Sequence, residues 1–95
     1  MGRLAQLLLA HLRNDRVDVS LHADNRLEER GVELWQVVEG SIDGRLLAER
    51  PAAKPNPVIE VSVVLSSGES CKVVWALPRD RSIAKLVTAH FHDKD

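Results

Sequence analysis

His22, Arg26 and Arg30 recur at four-residue spacing in the stretch HADNRLEERG, which ends on Gly31. On a helix with His22 as zero, Arg26 stands at about 40° and Arg30 at about 80°, with Glu29 close to His22 on the other side. One side of such a helix carries an imidazole able to transfer a proton and two guanidinium forks that match phosphate oxygens in pairs. That chemistry suits a phosphodiester. The same spacing also makes a solvated helix face on which Glu29 simply pairs with Arg26.

A second group lies near the C-terminus: Thr88, His90 and His92, with Lys85 earlier in the same run and Lys72 in the run before it. Metal-independent RNA cleavage needs a base for the ribose 2′-OH, an acid for the leaving oxygen and cations for the phosphorane. His22 or His90 supplies base or acid, Arg26 and Arg30 stabilise the phosphate, and Thr88 orients it or a base edge. Lys72, Lys85 and His92 are candidate substrate contacts. His90 and His92 would also lie about 7 Å apart on one side of a strand, with His22 as a third imidazole. Two histidines in so short a stretch arise easily by chance, and neither a metal site nor any other cofactor is expected. Cys71, in an apolar run between Ser70 and Lys72, reads as a buried thiol rather than a nucleophile.

The elements that must position these groups follow from periodicity. Leu4, Leu7, Leu8 and Leu12 recur at helical spacing, predicting a first helix over about residues 3–14 with His11 at the edge of its apolar face. VDVS is at most a short extended link. Ser20 then caps a second helix running to Arg30, closed by Gly31 in the left-handed region. A third, short helix is expected over Leu34–Glu39, closed by Gly40, with Leu34, Val37 and Val38 inward and Trp35 flanking them.

From Ile42 the period becomes two, in the runs GRLLAER, PVIEVSVVL, ESCKVVWAL and SIAKLVTAHF. PAAKPNP is a loop, LSSGE a type I turn with Gly68 at a bulge, and PRDR the last turn. That turn puts Ile59, Val61, Val63 and Leu65 on one face with Cys71, Val73 and Trp75. In the last run Ile83, Val87, Ala89 and Phe91 alternate against Leu86, Thr88, His90 and His92. Both tryptophans read as core. The expectation is an α+β fold in which two or three N-terminal helices pack on an antiparallel sheet of about four strands.

The 95 residues suit one domain, 1–95, in which residues 1–16 form a helical extension. Thirteen basic and fourteen acidic residues create no global field for nucleic acid, although positive charge leans toward the C-terminal part. With no tyrosine, one phenylalanine and two tryptophans, recognition of RNA has to rest on arginine, backbone groups or the ribosome. A single cysteine excludes an internal disulfide, and no apolar run is long enough for a membrane, so the cytoplasm is the expected compartment.

HADNRLEERGV, KPNPVIEV, SSGESCKVVW and KLVTAHF together resemble the bacterial family known as domain of unknown function 4258, over roughly residues 17–92. His22, Ala23, Arg26, Arg30, Gly31 and Val32 carry the sharpest part of the likeness; Glu33 departs from it, where the family often has a small capping hydroxyl. That family is similar to RelE-like and BrnT-like toxins, whose fold sets N-terminal helices against a curved antiparallel sheet. The resemblance implies a metal-independent ribonuclease acting on RNA, free or on the ribosome, and neutralised by an antitoxin protein. The alternative is a non-enzymatic interaction module, in which the stripe and exposed strand edges bind another polypeptide. The N-terminal leucine helix also offers a surface for a homodimer.

Overall fold

A computed structural model describes residues 2–92. Helices α1 (Arg3–Arg13), α2 (Leu21–Glu29) and α3 (Leu34–Ile42) accompany strands β1 (Val17–Val19), β2 (Arg45–Arg50), β3 (Val58–Val64), β4 (Ser70–Ala76) and β5 (Ala84–Phe91). The strands form one sheet in the order β1-β5-β4-β3-β2. Leu8, Leu12, Ala23, Leu27, Val37 and Val38 from the helices share one core cluster with the inward residues of β3, β4 and β5. The three helices thus bury a single face of the sheet.

The sheet has five strands and is mixed, where about four antiparallel strands were expected. The additional strand is β1, read as a link, which pairs in parallel with β5 through Val17↔Ala84, Asp18↔Lys85 and Val19↔Leu86. Three residues are too few to display a period, and their partner lies at the far end of the chain. The remaining strands pair antiparallel as a meander.

Local signals act where they were read. Ser20 Oγ accepts from Ala23 N–H at 3.0 Å and caps α2. Gly31 has φ +66°, and the bonds Val32 N–H to Leu27 O and Gly31 N–H to Glu28 O close the helix as a Schellman motif. Gly68 has φ +91° at the β3–β4 turn. The register Ile59↔Trp75, Val61↔Val73 and Val63↔Cys71 puts all six side chains in the core.

Five local expectations are corrected. α3 runs through Gly40 to Ile42, because Gly40 is where the helix meets β3: an added Cβ would collide with Val63 Cγ1. Glu33 serves as N-cap, and its N–H donates to Gln36 Oε1 at 2.8 Å, so α3 begins at Leu34 without a capping hydroxyl. In β5 the register shifts between Val74 and Trp75, so Leu86 is buried with Ala89 and Phe91 while Val87 is not. Trp35 is 57% exposed, leaving Trp75 as the buried tryptophan, its indole N–H donating to Ser41 Oγ at 2.9 Å. His11, expected at an edge, is only 8% exposed.

Candidate functional site

The stripe on α2 lies against the end of β5, and the reason is the shortness of β1. Beyond Leu86, β5 has no strand on that side, so its outward backbone groups need other partners. Ser20 supplies two bonds: its N–H donates to Leu86 O at 2.9 Å and its hydroxyl to Val87 O at 2.8 Å. Arg26 continues the series, its Nε–H donating to Ala89 O at 3.4 Å. The helix thereby covers an edge that β1 leaves open.

His22 reaches the same strand. Its Nε2 stands 3.1 Å from Thr88 Oγ1, joining residues 66 positions apart, and the His22 side chain remains exposed. Thr88 and His90 alternate with the buried Ala89 and Phe91, so both belong to the sheet face that the helices do not cover. Across the sheet His90 sits directly opposite Lys72, and Lys72 opposite Ser62. Directly opposed side chains have Cβ atoms about 4.5–5.5 Å apart, and Thr88 and His90 are separated by about 7 Å along the strand. His22, Thr88, His90 and Lys72 therefore form one contiguous polar patch.

The other predicted residues are placed differently. Arg30 pairs with Glu69, the residue just before β4, and its guanidinium lies 4.5 Å over the Phe91 ring. Arg26 Nη1 is 3.6 Å from Glu29 Oε1, the pairing read from their three-residue spacing. Lys85 lies on the open face between Asp18 and Ala76, five residues before His90 and at the opposite end of β5, so it stands apart from the patch. His92 is exposed just past β5, its N–H donating to Ser70 O at 3.4 Å.

Three partners carried no sequence signal. Glu69 meets Arg30 across 39 positions, and Phe91 beneath it looked like ordinary core. Glu60 holds Arg50 Nε at 2.9 Å and Lys72 Nζ at 3.6 Å. The Arg50 hydrogen bond is the main reason its carboxyl is held below the usual carboxylate range. These contacts depend on the assembled sheet, so no local pattern announces them.

Among the described residues, no group of three or more His, Cys, Asp or Glu side chains is arranged to hold a metal ion. Cys71 is buried, and burial is the main cause that pushes its thiol up to about 11. A thiol so placed is a core atom and a poor nucleophile. No helix of the described residues is long and apolar enough to cross a membrane.

The model of the domain of unknown function (DUF4258) matches residues 19–91. The chain belongs to the DUF4258 family. No curated protein and no solved structure matches it. The DUF4258 match runs from the end of β1 to the end of β5 and so contains the stripe on α2 and the polar patch, with α1 preceding it.

Proposed function

We propose that this DUF4258 protein is a toxin-like, metal-independent ribonuclease whose reaction centre is the patch formed by His22, Thr88, His90 and Lys72. The observation that carries this reading is the His22–Thr88 contact, which brings an exposed imidazole from α2 onto the sheet face holding His90. Two imidazoles flanking one threonine, with a lysine directly across from one of them, is an arrangement suited to phosphodiester transesterification.

In that reaction one imidazole takes the proton of the ribose 2′-OH as the 2′ oxygen bonds to phosphorus. The P–O5′ bond breaks, and the other histidine, as imidazolium, gives its proton to the leaving 5′ oxygen. The products are a 2′,3′-cyclic phosphate and a 5′-hydroxyl. Lys72 and the unengaged N–H groups of Arg26 stabilise the equatorial oxygens. Arg30, tied to Glu69 and lying over the Phe91 ring on the helix-covered side of the sheet, is given no contact with the substrate in this reading. Helices on one sheet face, with Thr88, His90 and Lys72 on the other, also support the RelE-like and BrnT-like reading of the family, with an antitoxin as its natural partner.

The test is cleavage of a mixed RNA substrate, with and without ribosomes and in the presence of EDTA, by the protein and by His22→Ala and His90→Ala variants shown to be folded. Cleavage that survives EDTA, leaves cyclic phosphate ends and is lost in both variants is the expected result. Absence of cleavage under every condition would overturn it in favour of the interaction module. That second reading draws on the charges of Arg26 and Arg30 already being met by Glu29 and Glu69.

A further inference from the structure

On the α3 side of the molecule Trp35 is 57% exposed and Val64, at the end of β3, 66% exposed. Single exposed apolar residues are ordinary. Here the indole lines two hollows. One, of about 470 Å³, lies between α1 and α3 and has Leu12, Val38 and Ile42 among its walls. The other, of about 170 Å³, is walled by Gln36, Gly40, Val64 and Ser66 together with carboxylates, and is the more polar of the two.

The charges around the two hollows are one-sided. Asp15, Glu39 and Asp43 line them against the single cation Arg13. None of these three carboxylates has an ion-pair partner among the described residues. An apolar centre with a polar rim is the anatomy of a protein interface, and an acidic rim repels phosphate and selects lysine and arginine. The walls come largely from α1 and α3, whose backbone groups are engaged within the helices. An extended segment laid here would find no ladder to join, whereas a helix satisfies its own backbone internally.

We propose that the face centred on Trp35 is the docking site for a basic amphipathic helix of a partner protein. An aliphatic side chain enters the larger hollow beside the indole, and lysine or arginine side chains one turn away meet Glu39 and Asp43 at the smaller hollow and Asp15 at the larger. None of His22, Thr88, His90 and Lys72 lines either hollow, so docking and the chemistry proposed above are independent.

Two synthetic helices of about 14 residues with identical leucine positions provide the probes, one carrying lysine at its polar positions and the other glutamate. Calorimetric titration is expected to show saturable binding of the Leu/Lys peptide only, with tryptophan emission shifting to the blue as Trp35 leaves water. A Glu39→Lys/Asp43→Lys variant and a Trp35→Ala variant, both altered at exposed positions and checked by thermal melts, are each expected to weaken that binding at least 10-fold. Equal binding of both peptides, no binding of either, or affinity unchanged in the variants would overturn the proposal. A dimer in sedimentation that Trp35→Ala dissociates would also overturn it, by assigning the face to a second copy of this chain.

Discussion

The imidazole of His22 and the hydroxyl of Thr88 stand 3.1 Å apart, one from the first turn of α2 and one from the open face of β5. In the proposed reaction the hydroxyl would orient the ring without needing to touch substrate, which makes Thr88 a positioning residue of that proposal. Thr88→Val is expected to lower kcat for RNA by roughly 10- to 100-fold with KM nearly unchanged, while Thr88→Ser retains most of the rate. Steady-state cleavage assays check this. Equal kcat values for Thr88→Val and the parent would remove the positioning role.

Ser41 is buried in α3 and gives the Trp75 indole N–H its partner. Ser41→Ala leaves that donor unsatisfied in the core. The expected cost is about 1–3 kcal/mol, read as a lower urea midpoint with an unchanged slope.

Gly40 inverts the usual rule for helices. Alanine at a helix interior normally gains about 1 kcal/mol over glycine, but here its Cβ meets Val63 Cγ1. Gly40→Ala is therefore expected to destabilise by roughly 1–3 kcal/mol. Combining it with Val63→Ala should cost less than the sum of the two changes, since the smaller neighbour removes the collision; a double-mutant cycle measures the difference.

Burial, reinforced by the Arg16 charge, holds the His11 imidazole below its usual value of 6.5. As pH falls, the unfolded chain takes up this proton before the folded one does. The stability associated with the neutral ring is complete above about pH 6.5 and is lost as pH falls through the folded value. Urea titrations at pH 7.5 and 5.5 are expected to show a smaller loss on acidification for His11→Phe than for the parent chain.

Cys71 is expected to resist thiol reagents at pH 8 until the core opens, since its thiol is buried and pushed up to about 11. Labelling rates in increasing urea should follow global unfolding. Rapid labelling of the native protein would mean that the β3–β4 core opens locally.

Elements governed by neighbours in sequence were legible without coordinates. The leucine spacing of α1, the Ser20 and Gly31 ends of α2, and the Gly68 turn that sets the β3–β4 register each express a local rule. The grouping of His22, Arg26 and Arg30 on one side of a helix is of the same kind, because backbone geometry alone requires it.

Local rules of this kind thus dictate the helices, most of the strands and which residues are available for chemistry. Tertiary structure decided what those residues meet: the pairing of β1 with β5, the register shift opposite Val87, the exposure of Trp35, and the separate partners of the stripe. His22 is turned to Thr88, Arg26 to a strand edge and Arg30 to Glu69 and Phe91. The physical reason is range. Helical periodicity and capping act over a few residues, whereas an edge carbonyl awaiting a donor, or a carboxylate opposite a guanidinium, exists only once distant strands have been laid side by side.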